Sequence, residues 1–107
     1  MQHARLSDAW PNERYVRWHA RKHGEGRSGD QYVAWAQAIK NRPGTEVYAY
    51  VHSDMTCGFA FINRREDAVV WFSLDEDQNM SVFHPDEGVS RFLDRKTTYW
   101  RLRETEL

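Results

Sequence analysis

The chain has 107 residues, 40% hydrophobic and 14% aromatic, with five Trp and a formal net charge of −1. That length supports one core and excludes two independently packed ones, and the aromatic content excludes a disordered polymer. The near-zero charge excludes a protein that grips nucleic acid by bulk electrostatics, and a single cysteine, Cys57, excludes an intrachain disulfide or a multi-cysteine zinc site.

No apolar run is long enough to span a bilayer, and residues 1–10 (MQHARLSDAW) lack the apolar segment of a secretory signal. The expectation is a protein that acts in the cytoplasm without a membrane. Charge is nevertheless polarised. Five cations (Arg14, Arg17, Arg21, Lys22, Arg27) stand among two glutamates (Glu13, Glu25), five more (Arg91, Arg95, Lys96, Arg101, Arg103) surround Asp94, and Asp75, Glu76 and Asp77 form an acidic run. Two basic patches that met in the fold would give a local phosphate-binding surface.

Residues 1–9 read as an N-terminal arm. A first helix follows, with Asp8 as N-cap, Pro11 in the first turn and Gly24 as the stop; Tyr15, Trp18, His19 and Lys22 at helical spacing make Tyr15 and Trp18 the expected buried face, with His19 beside it. His19, Lys22 and His23 stand at i, i+3 and i+4 near the C-terminal end. A solvated basic face complementing the helix dipole accounts for this trio as well as chemistry does, and a hydrogen-bonded structural histidine accounts for His19. Ser28 with Gln31 forms the pattern of a capping box and opens a second helix that runs to about Lys40 and ends at Pro43-Gly44, with Trp35 and Ile39 as core residues.

After Gly44 the hydrophobic period changes to two. Residues 45–52 (TEVYAYVH), 57–63 (CGFAFIN), 68–74 (AVVWFSL) and 80–84 (MSVFH) read as strands, with Cys57 half-buried in the second and 75–79 as a solvated polar loop. Short turns between them imply an antiparallel meander. Residues 86–107 supply one or two helical turns around Val89, Phe92 and Leu93, and a segment 97–102 (TTYWRL) that is a last edge strand or an extension packed on the sheet. The expected fold is therefore one α+β domain in which two N-terminal helices (10–41) pack on a four- to five-stranded antiparallel sheet (45–85 and the tail).

The run His19-x-x-Lys22-His23-Gly24, a glycine-bearing turn, Ser28, Tyr32 and Ala36 resembles the start of RNase toxin domains of the colicin, barnase, EndoU and RelE-like (BECR) superfamily, carried by contact-dependent and other polymorphic bacterial toxins. The stretch Asn79-Met80-Ser81-Val82-Phe83-His84-Pro85 is similar to the late hairpin of those domains. The usual glycine of that turn is absent here, and Asn79, which tolerates a left-handed conformation, stands in its place. The resemblance covers about residues 18–85.

What the resemblance implies is metal-independent cleavage of tRNA or translation-associated RNA, with no cofactor. The RNA's own 2′-hydroxyl attacks, so the protein must accept one proton, donate another and stabilise a charged phosphorane. Histidine titrates in the right range. On this reading His19 is the general acid/base, Lys22 the charge on the phosphate with Arg21 or Arg27 assisting, and His23 a second acid/base or a helix-end residue. Ser81, expected to point across the sheet toward the helices, hydrogen-bonds a phosphate oxygen. His84 is an alternative partner for His19, on the face opposite Ser81. Tyr32, Trp18 or Trp71 would stack on an unpaired base, although core packing explains each as well. RNA is the implied substrate, and an acidic immunity protein or antitoxin the implied partner.

Two alternatives stand beside it. A cation shared by His19 and His23 with His84 or His52 has the right ligand type, but the intervening Ala20-Arg21-Lys22 places two cations at the site. A non-enzymatic phage or mobile-element protein would keep the scaffold and bind a host protein or RNA through the same basic and aromatic surface.

Overall fold

The computed structural model describes residues 13–52, 55–74, 80–94 and 98–102. The Asp8 cap, Pro11, the N-terminal arm, the polar loop with Asn79, and residues 95–97 and 103–107 lie outside them.

Helix α1 (Glu13–His23) stops against Gly24, whose N–H donates to Ala20 O at 2.8 Å. Helix α2 (Gly29–Asn41) opens on the expected capping box: the Gln31 N–H donates to Ser28 Oγ at 3.2 Å, and the Ser28 N–H donates to Gln31 Oε1 at 2.9 Å. The sheet comprises β1 (Glu46–Val51), β2 (Cys57–Asn63), β3 (Ala68–Ser73), β4 (Met80–Phe83) and, after the short helix α3 (Val89–Leu93), β5 (Thr98–Leu102). Its order is β4-β3-β2-β1-β5 and every pairing is antiparallel. The protein is an α+β fold, and the tail is an edge strand, because β5 returns to pair with β1, Tyr99 opposite Tyr50.

Strand alternation sorts the core into two layers. One face carries Val47, Phe61, Val70, Phe72 and Val82 against Ala20, Tyr32, Ala36 and Ile39 of the two long helices. The other carries Ala60, Ile62 and Val69 with Trp71, Phe83 and Tyr99 around Val89 and Phe92 of α3. Strands β2 and β3 are buried on both faces for this reason, so they read as near-continuous apolar runs. Lys40 is buried too, its ammonium 5.5 Å from the Phe61 ring.

Three expectations fail locally. The buried stripe of α1 is Val16 and Ala20, not Tyr15 and Trp18, and Trp18 is 52% exposed. Small residues win because α1 approaches α2 closely: a Cβ on Gly29 would already sit 3.4 Å from Val16 Cγ1. Cys57 is exposed at the start of β2. Tyr32, expected to contact substrate, is fully buried in the core. Among the described residues no helix is long and apolar enough to cross a membrane.

Candidate functional site

The last turn of α1 lies against edge strand β4, and where they part an open cleft of about 260 Å³ forms, lined by His23 on one wall and by Phe83, His84, Asp86, Glu87 and Phe92 on the others. Each wall is fixed by a turn of defined conformation. After α1, Gly24 lies so close to the Ala20 carbonyl that a Cβ would overlap it, Glu25 adopts φ 53° and Gly26 φ 91°. Glutamate is uncommon in that left-handed region and costs about 1 kcal/mol or more there. What the conformation achieves is delivery of Glu25: its carboxylate lies 3.6 Å from His84 Nε2.

His84 is held from behind. Its Nδ1 lies 2.9 Å from the Asp67 carbonyl oxygen, which can only accept, so Nδ1 carries the proton and Nε2 is the ring atom left for the cleft and Glu25. Asp67, itself at φ 54° in the β2–β3 turn, uses its carboxylate to accept from the Val89 N–H at 2.9 Å, which caps α3. One aspartate thus ties the floor of the cleft to the histidine above it. Beside His84 stands Trp35, ring centroids 5.1 Å apart, and over Trp35 lies the Arg27 guanidinium at 3.8 Å, donating also to Gly24 O at 3.0 Å.

His23 reaches the cleft with its ring 5.7 Å from Phe83. Burial, aided by the Lys22 charge, holds its pKa below the ordinary histidine value, so it is neutral at physiological pH. His19 is one turn back, 6.0 Å from His23. Its Nδ1 lies 3.1 Å from Tyr15 O and its ring stacks on Tyr15 at 3.8 Å. Burial lowers its pKa against the Tyr15 carbonyl, which raises it, and the His23 and Lys22 charges lower it further.

Among the residues expected from sequence, His23 and His84 line the cleft, and Arg27 stacks on the Trp35 that flanks His84. The others do not line the cleft. His19 touches His23 but does not line the cleft, and Lys22 turns outward, its Nζ 5.0 Å over Trp18. Arg21 is exposed and does not line it either. Ser81 does not line the cleft, and it is on the face opposite the one expected. Val82 packs toward the two long helices, so its neighbour Ser81 must point to the α3 side, opposite Trp71 in the register. His84 is accordingly on the helix side, the reverse of the expected assignment.

Tyr32 is not a substrate ligand: it is fully buried, and its hydroxyl accepts from the Val82 N–H at 2.8 Å and donates to the Val82 carbonyl at 3.0 Å. It thereby satisfies the outer edge of β4 from within. His52 stacks on Trp71 at 5.2 Å on the α3 face and cannot join the α1 histidines. Among the described residues no group of three or more His, Cys, Asp or Glu is placed to hold a metal ion.

Glu25 is the residue that sequence reasoning missed. Its signal was present in Gly24-Glu25-Gly26, a carboxylate between two glycines in a helix-joining turn. No family model, curated protein or solved structure matches the chain.

Proposed function

We propose that the protein is a metal-independent endoribonuclease of the bacterial toxin type, with its acid and base at His84 and His23 rather than at His19. The observation that carries this reading is that two histidines from separate elements, the end of α1 and the end of β4, line one open cleft. His23, neutral at physiological pH, takes the proton of the RNA 2′-hydroxyl as its oxygen attacks phosphorus. His84, as an imidazolium whose Nδ1–H is held by the Asp67 carbonyl and whose Nε2–H faces Glu25, gives its Nε2 proton to the departing 5′-oxygen. The 2′-O–P bond forms and the P–O5′ bond breaks, leaving a 2′,3′-cyclic phosphate and a 5′-hydroxyl. Arg27, stacked on the same Trp35 that flanks His84, is the cation proposed for the phosphorane charge.

The resemblance of residues 18–36 and 79–85 to BECR toxin domains supports the same chemistry, and an acidic immunity protein remains the partner it implies. The test is to incubate the purified protein with total tRNA and rRNA in the presence of a chelator and to identify the new ends. Fragments with cyclic phosphates are expected; RNA left intact across neutral pH overturns the reading.

A second reading has an observation of its own. Asp86 and Glu87 on the far wall repel a polyanion, which suits a cleft that receives a basic segment of a host protein without cutting RNA. Retained binding of such a partner by the His84→Ala variant, with no RNase activity in the wild type, would select it.

A further inference from the structure

The outward face of α1 carries a feature that the cleft does not absorb. Trp18 is 52% exposed, although burying such a side chain is among the larger gains available to a small core. Lys22 holds its Nζ 5.0 Å above the Trp18 ring, and Arg14, one turn earlier on the same stripe, is also exposed. A flat ring flanked along the helix by cations has the composition of a platform on which a base stacks while its phosphates meet charge.

This platform is continuous with the cleft. Trp18 meets the edge of the His19 ring at 4.7 Å, His19 is 6.0 Å from His23, His23 is 5.7 Å from Phe83, and His23 and Phe83 both line the cleft. The rings therefore form a run from the outer face of α1 to Phe83, in the cleft that His84 also lines. Charge sets which way a strand can leave. Asp86 and Glu87 close the α3 side to phosphate, whereas the α1 side offers Arg14, Arg17, Arg21 and Lys22, all exposed.

We infer that Trp18 and Lys22 form a docking subsite for single-stranded RNA, on which a nucleotide flanking the scissile phosphate stacks, with His19 as the ring that bridges it to the cleft. The choice of RNA as occupant rests on the proposed ribonuclease reading; the position of the subsite rests on the exposure of Trp18, the cation stripe and the run of rings. Single strands fit better than duplex because the ring must reach an unstacked base. His19, the residue that the sequence motif singles out most strongly, thus acquires a part in binding.

The test uses 2′-O-methyl oligouridylate carrying a fluorescein, which lacks the attacking hydroxyl and so reports binding without cleavage. Anisotropy titrations compare wild type, Trp18→Ala, Trp18→Phe and Lys22→Ala, each checked for folding by circular dichroism. Loss of the ring is expected to weaken binding about tenfold or more, with Trp18→Phe recovering most of it. Lys22→Ala should reduce the slope of log affinity against log salt by about one.

Equal affinity of wild type and Trp18→Ala overturns the subsite and leaves this face to a protein partner. The two readings fail separately: ring-dependent binding of the oligonucleotide by a protein that leaves natural RNA uncut supports the subsite and removes the nuclease, whereas cleavage that is indifferent to Trp18 with unaltered binding does the reverse.

Discussion

Replacing Tyr32 by Phe removes one oxygen atom from the core and keeps the ring. That oxygen makes two hydrogen bonds, accepting from the Val82 N–H at 2.8 Å and donating to the Val82 carbonyl at 3.0 Å, both across 50 residues of sequence. Neither main-chain group can follow the hydroxyl, because β4 is fixed to β3 by the pairing of Val82 with Val70. A buried polar group left without its partner costs about 1–3 kcal/mol, and the position of β4 at the sheet edge lets water reach part of the lost contact. The expected loss is about 2–4 kcal/mol, or on the order of 10 °C in Tm for a chain of this size.

Urea unfolding followed by far-UV circular dichroism measures it, as a lower midpoint at unchanged slope. The same substitution alters the alkaline limb. Burial pushes the Tyr32 phenol up to about 12 against the opposing hydrogen bond with Val82. Because the folded value lies above the unfolded value of about 10, the stability linked to this phenol is fully present below pH 10 and is lost as pH rises toward 12, on the order of 3 kcal/mol in all. Tyr32→Phe should lack that decline. A variant within roughly 0.5 kcal/mol of wild type at neutral pH would refute the assignment of Tyr32 to the β4 edge.

Two further predictions concern backbone positions. Gly58→Ala is expected to lose about 3 kcal/mol or more, since its Cβ would overlap the Phe72 carbonyl oxygen and sit 2.6 Å from the Tyr50 hydroxyl, and the carbonyl belongs to a paired central strand; thermal unfolding reads this directly. Glu25→Gly should raise stability, by up to about 1 kcal/mol, because it relieves a left-handed glutamate and gives up only an exposed contact with the His84 ring. On the proposed ribonuclease reading, cleavage should fall at the same time, as His84 loses the carboxylate at Nε2; a stabilised variant that cleaves RNA at the wild-type rate would remove Glu25 from the site.

The elements were legible in sequence where local chemistry is decisive. Ser28 and Gln31 announced the start of α2, and the change of hydrophobic period after Gly44 announced the sheet. What stayed hidden was which face met which. Alternation puts Ser81 and His84 on opposite sides of β4, but only the packing of Val82 under α2 decides that His84 is the one beside the helices. In α1, aromatic size pointed to Tyr15 and Trp18, whereas the close approach of α2 at Gly29 selects the thinner Val16 and Ala20.

That rotation carries Trp18 outward and brings His23 to the cleft. It also explains why His19, the more obvious histidine by motif, rests against the Tyr15 carbonyl instead. Glu25 could not be paired with His84 before the fold joined positions so far apart in sequence, and Arg27 could not be seen to share Trp35 with that same histidine.

The most direct test of the cleft is a comparison of cleavage rates for His84→Ala, His23→Ala and His19→Ala on total RNA in the presence of a chelator. Loss of a positioned acid or base lowers such a rate by about 100-fold to 10,000-fold. The proposed mechanism predicts losses of that size for His84→Ala and His23→Ala and a smaller one, through binding, for His19→Ala. Wild-type cleavage by His84→Ala, with activity abolished only in His19→Ala, would contradict it.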